Sequence, residues 1–167
     1  MIENALSWIV VLAMLIYGGA KWMQFEGAAD IDKVVSELTG MELMWAFYGY
    51  SRAFILTLGV LEITGGILML IKRTRIIGCL FLSTILVNII LQDIFYGINQ
   101  GALKAAIIYQ SCILIILWMN RIKLIRVFNI LIERSPKIEN KKKFFAKMLI
   151  AFIIFVVLRV AEFYATH

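Results

Sequence analysis

Apolar runs of about twenty residues recur along this chain, separated by short polar links. That is the length an α-helix needs to cross the hydrocarbon of a bilayer. Residues 5–23 (ALSWIVVLAMLIYGGAKWM) form the first run. No basic stretch precedes it and no A-x-A-like cleavage site stands out, so it predicts a retained helix rather than a cleaved signal. The second run, residues 44–72 (MWAFYGYSRAFILTLGVLEITGGILMLIK), predicts one span that carries Arg52 and Glu62 inside it. Residues 76–96 and 102–119 predict the third and fourth.

The links carry patterns of their own. In residues 24–43, Ile31, Val34, Val35 and Leu38 recur at steps that predict a short amphipathic helix on the membrane face, ended by Gly40. Residues 121–134 (RIKLIRVFNILIER) place Ile122, Ile125, Phe128, Asn129 and Ile132 roughly on one side, which predicts a surface-lying helix. Pro136 and the KIENKKK run after it close that helix. Residues 144–164 are long enough for a fifth span, with Lys147, Arg159 and Glu162 near its ends. The expected fold is an all-α membrane protein. Residues 1–121 form a four-helix transmembrane bundle, and residues 122–167 a basic amphipathic segment plus a C-terminal hydrophobic membrane helix.

Composition agrees. The 167 residues are 62% hydrophobic with a mean hydropathy of +0.90, against about 45–50% apolar in a soluble domain. A net charge of +6 would suggest nucleic acid in a soluble protein. Here the basic residues border apolar runs, so topology and anionic membrane lipids account for them, and no nucleic-acid partner is expected. The basic turn Lys72, Arg73, Arg75 and the tract after Met119 belong on the cytoplasmic side; the acidic 24–43 link belongs outside. The expected location is the bacterial inner (plasma) membrane, multi-pass, with the N-terminus in the cytoplasm.

Candidate chemistry lies in the charges inside the spans. A charge at bilayer depth costs roughly 2.5–3.5 kcal/mol on insertion scales, so it faces protein, water or a ligand. Glu62 shares a helical face with Gly59 and Gly66, which lets a neighbouring helix come close. Arg52, Asp93, Gln92, Lys21 and Lys104 fall in one outer layer by helix rise, and Glu62, Asn88 and Gln110 nearer the midplane. Asn88 and Gln92 are i and i+4, linking the layers. The arrangement predicts a polar pocket with Glu62 as its proton-handling carboxyl and Arg52, Asp93, Asn88, Gln92, Gln110 and Lys21 as ligand-binding residues. Its surplus of cations in the upper layer would suit an anion or a quinone oxygen. The structural alternative is an Arg52–Asp93 ion pair, with Glu62 satisfied by Asn88 or Gln110, and Lys21 snorkelling beside Trp22 to the interface.

Other chemistry lacks its residues. Cys79 and Cys112 are isolated within apolar runs, which reads as buried structural thiols rather than a redox pair. His167 is the sole histidine, so haem and His-based metal ligation are not expected. No phosphate-binding glycine motif is present. The sequence itself carries no cofactor signature; a bound quinone is the one cofactor the pocket suggests.

Residues 59–78 (GVLEITGGILMLIKRTRIIG) and the Tyr17, Gly18, Lys21 element resemble the pattern of the DoxX-like (DoxX/DoxD superfamily) small integral membrane proteins. Glu62, Gly65, Gly66, Arg73, Arg75, Gly78 and Asn88 match that arrangement, over about residues 6–121. The resemblance implies a compact four-helix membrane bundle, some relatives being subunits of a thiosulfate:quinone oxidoreductase. The expected function is thus an inner-membrane subunit binding a quinone or similar lipophilic molecule in a redox or stress-linked pathway. Its expected partners are membrane lipids, a soluble or membrane redox partner to supply electrons, and further copies of itself in a homo-oligomer. The alternatives are a non-enzymatic anchor or assembly subunit docking through the basic tract, and a small solute or proton carrier.

Overall fold

A computed structural model describes residues 1–132 and 141–166, with backbone alone at 141 and 142. Its regular elements are all helical: α1 (Ile2–Gln24), α2 (Gly40–Tyr50), α3 (Arg52–Leu70), α4 (Arg75–Tyr96), α5 (Gln100–Met119), α6 (Arg121–Ile132) and α7 (Lys141–Thr166). Five of these, α1, α3, α4, α5 and α7, are long and apolar enough to cross a membrane. The chain divides into two compact units, Met1–Ile125 and Arg126–His167.

In the first unit α1 packs on α3 and α5, α3 on α4, and α4 on α5, closing a four-helix ring. Val10 and Met14 of α1, Met69 of α3, Leu82 and Leu86 of α4, and Ile113 and Ile116 of α5 fill its centre. The outward faces stay apolar, with Trp8, Leu12 and Ile16 on α1, Val60 and Ile67 on α3, and Ile94 and Phe95 on α4 exposed. Apolar surface on that scale is unusual for a water-soluble monomer and suits contact with lipid.

Residues 44–72 are not one helix. Ser51 adopts an extended backbone (φ −127°, ψ 103°), and its side chain accepts from the Phe54 amide at the start of α3. A serine that satisfies an open helix N-terminus favours a break there over a continuous helix. The preceding α2 rests against α3 and α4 at one end of the ring. Gly40 opens α2 rather than ending a helix before it. Thr39 caps it: its hydroxyl oxygen accepts from the Glu42 amide at 3.2 Å, and its own amide donates to Glu42 Oε2 at 2.8 Å. Gly40 is also pressed on the Tyr96 carbonyl at the end of α4, where a Cβ has no room. The Lys33 ammonium, then the Thr39 amide and hydroxyl, hold the Glu42 carboxyl down to about 2.

The expected amphipathic helix over 31–38 is a single 3-10 turn, Val35–Glu37. Ile31, Val35 and Leu38 instead line a groove with Leu43, Phe47 and Phe54, so the link is held by α2 and the start of α3.

The far end of the ring is tied by a buried guanidinium. Arg75 donates to the Met69 carbonyl (3.1 Å), Glu3 Oε1 (3.1 Å) and Asn4 Oδ1 (2.9 Å). Ser7 Oγ donates to the same Met69 carbonyl at 3.0 Å. A carbonyl in the last turn of α3, left open by the helix geometry, thereby gains two donors. Lys72 and Arg73 in the same turn are exposed.

The remaining helices, α6 and α7, form where residues 121–134 and 144–164 predict helices. Every side chain of α6 from Ile125 to Ile132 is exposed; its expected end at Pro136 lies outside the described residues, as does His167. In the second unit, the described side chains of α7 are exposed along its length, and Arg159 pairs with Glu162 one turn on.

The α1–α3 contact brings two backbones within reach of each other. A Cβ on Gly18 would stand 2.7 Å from the Gly59 carbonyl oxygen, and one on Gly59 2.5 Å from that of Gly18. Gly59→Val should therefore lower stability in detergent micelles by about 1–3 kcal/mol or more, as overpacking does. Gly19→Ala, whose Cβ meets nothing within 4 Å, should be near neutral. Equal thermal midpoints for Gly59→Val and wild type would contradict this packing.

Candidate functional site

The buried face of α3 reads Ile55, Gly59, Glu62, Gly66, Met69, alternating steps of four and three. This keeps Glu62 turned into the ring, 3% exposed. Its partner comes from α1: Lys21 Nζ lies 3.2 Å from Glu62 Oε1, and only 14% of the Lys21 side chain is exposed. Lys21 turns inward rather than snorkelling to the interface, while Trp22 beside it is half exposed. The geometry has a plain cause. The two helices are antiparallel, and side chains lean toward their own helix N-terminus, so Lys21 and Glu62 converge. Gly59 clears the way, since a Cβ there would stand 3.2 Å from Lys21 Cβ. The Lys21 ammonium also sits 5.7 Å from the centre of the Phe25 ring.

Lys21 and Glu62 line a cavity of about 490 Å³ between the ring and α2. Phe25, Trp45 and Tyr48 form an aromatic wall, Phe25 lying 5.2 Å from each of the other two rings. A polar chain runs along another wall: the Tyr48 hydroxyl donates to Gln92 Oε1 (2.7 Å), and Gln92 Nε2 donates to Asn88 Oδ1 (2.6 Å). Burial pushes the Tyr48 phenol above its usual range, so it remains a donor in neutral solution. Asp93 also lines the cavity and is 7% exposed. Thr84 and Asn88, both cavity-lining, are exposed midway along α4, so the cavity opens on the flank of the bundle. A smaller cavity of about 140 Å³, walled by Tyr17 and Tyr109, shares Lys21 and Glu62 with the first.

Lys21, Glu62, Asn88, Gln92 and Asp93 are thus brought to one cavity. Arg52 is exposed and lines a separate cavity of about 150 Å³ beside Lys21, with no Arg52–Asp93 ion pair among the described residues. Gln110 donates to Ser83 Oγ at 2.7 Å, bonding α5 to α4, and is not among the residues of these cavities. Neither Asn88 nor Gln110 satisfies Glu62; Lys21 does. Lys104 is exposed. With Arg52 aside, the cavity holds one cation and two carboxylates, which reverses the expected cationic surplus. Tyr48 and Trp45 had no polar periodicity to mark them, because the helix break that turns α2 over the cavity was hidden in an unbroken apolar run. Cys79 and Cys112 are buried, and the described residues hold no cluster of His, Cys, Asp and Glu suited to a metal ion.

Removing one member of a buried ion pair leaves the other uncompensated, at a cost of about 3–5 kcal/mol, whereas replacing both by apolar groups is often near neutral. Lys21→Met should therefore destabilise the protein in micelle unfolding titrations, and the double variant Lys21→Met, Glu62→Leu should recover most of the loss. A double variant no more stable than Lys21→Met would contradict the pairing.

No family model and no solved structure matches the chain. A Bacillus subtilis (strain 168) protein named "Uncharacterized protein YwoB" is 35% identical to it over 116 residues, or 68% of this chain and 73% of that protein. Identity at that level over two thirds of both proteins places them together: the chain belongs to the same family as YwoB.

Proposed function

We propose that this chain is a DoxX-like inner-membrane protein that binds a quinone or similar lipophilic molecule in the cavity between α2, α3 and α4, within a redox or stress-linked pathway. The observation that carries the reading is Glu62: one oxygen is held by Lys21, and the other, Oε2, has no hydrogen-bond partner among the described residues. A buried carboxylate half satisfied by the protein has the other half available to a ligand. A volume of about 490 Å³ with one aromatic wall and one polar wall fits the head of an aromatic lipophile that carries oxygens. The exposed Thr84 and Asn88 supply an approach from the lipid side.

In this reading α1, α3, α4 and α5 span the bilayer as a four-helix domain and α7 adds a fifth span. The end of the ring bearing Lys72, Arg73, Arg121 and Lys123 faces the cytoplasm, and the acidic 24–43 link faces outward. Glu62 handles the ligand's proton, Lys21 fixes the carboxylate, and Asp93 with the Tyr48–Gln92–Asn88 chain orients the head. Electrons come from a partner protein.

Binding of the reduced quinone analogue decylubiquinol, kept anaerobic and followed by quenching of tryptophan fluorescence in micelles, tests this. Glu62→Gln should weaken binding at least tenfold while the variant still inserts and stays monodisperse. Unchanged affinity in that variant would contradict the assignment of Glu62.

A further inference from the structure

The cavity has more acceptors than the protein fills. Glu62 Oε2 and Asp93 Oδ2 are both shielded from solvent without a hydrogen-bond donor among the described residues. Both residues are more than nine-tenths buried, and both line the same cavity. One hydrogen of Lys21 is engaged with Glu62 Oε1, the Tyr48 hydroxyl with Gln92, and one Gln92 amide hydrogen with Asn88, and the shielded cavity atoms left without a partner among the described residues are both acceptors. A buried acceptor left open costs free energy that a donor brought by a ligand recovers.

This asymmetry separates the two redox forms of the proposed ligand class. A quinone offers carbonyl oxygens, which only accept; a quinol offers two hydroxyl groups, which donate. A cationic amine would also donate, but it would meet the Lys21 ammonium, which stands 3.2 Å from Glu62. Neutral hydroxyls avoid that repulsion. The Phe25, Trp45 and Tyr48 wall suits a flat ring carrying them. We propose that the cavity prefers the reduced, hydroxyl-bearing form of its aromatic lipophile, with the quinol hydroxyls donating to Glu62 Oε2 and Asp93 Oδ2. The inference rests on the reading of the cavity as a quinone-class site, and it concerns binding alone.

The test compares decylubiquinol with decylubiquinone on the full chain in micelles under anaerobic conditions, read by tryptophan fluorescence. The quinol should bind at least tenfold more tightly. For this two-electron couple, tenfold corresponds to an upward shift of about 30 mV in the midpoint potential of the bound form. Asp93→Asn, which turns a pure acceptor into a mixed group, should shrink the preference without moving quinone affinity in proportion. Equal affinities, or tighter quinone binding, would overturn the preference and leave the quinone-class reading standing. Binding of neither form would overturn both. The wild-type comparison decides the matter even if the Asp93 variant does not fold.

Discussion

A carboxylate in the middle of an apolar helix needs a counter-charge, and Glu62 of α3 takes its own from Lys21 of α1. The surrounding packing follows from bringing those two groups together. Gly18 and Gly59 let the backbones of the two helices approach until either Cβ would collide with the opposite carbonyl. The stem of Lys21 crosses the space that Gly59 leaves empty, and the antiparallel lean of the two side chains completes the pair. Without the glycines the ammonium would be held off; without the ammonium the carboxylate would be buried alone.

The opposite end of the ring solves a similar problem differently. There Arg75 is wrapped in oxygen: the Met69 carbonyl, Glu3 and Asn4 all accept from it. Each of these contacts joins one helix end to another, and the network is a structural knot. The Lys21–Glu62 end is open by contrast. It has a cavity beside it, an oxygen of Glu62 and one of Asp93 without donors among the described residues, and α2 laid across it. The chain spends its polar groups on fastening at one end and leaves them available at the other, so the site belongs where the fastening is incomplete.

Much of this was legible in the order of residues. The spacing of Gly59, Glu62 and Gly66 marks the buried face of α3, and the i, i+4 spacing of Asn88 and Gln92 anticipates their 2.6 Å hydrogen bond. What the spacing cannot supply is the register between helices far apart in the chain. Lys21 near a helix end satisfies the pattern of an interfacial lysine equally well, and only the Gly18–Gly59 contact turns it toward Glu62. Arg75 reads as one charge of a basic turn until Glu3 and Asn4, some seventy positions earlier, fold against it. The break before α3 left a readable trace in Ser51, as did the Thr39–Glu42 capping box at the start of α2. Ser51 was overlaid by an apolar run long enough to pass for one span, and the capping box lies in the polar link just before that run. That overlay concealed Tyr48 and Trp45, the aromatic part of the site.

The account therefore stands on one contact between two helices. Magic-angle-spinning NMR of the full chain in lipid bilayers, with ¹⁵N at Lys21 Nζ and ¹³C at the Glu62 carboxyl, measures it through their dipolar coupling. A strong coupling, matching an Nζ–Oε1 separation of 3.2 Å, is the predicted result. Loss of that coupling, with Lys21 Nζ coupled instead to lipid phosphorus, would contradict the account at its base.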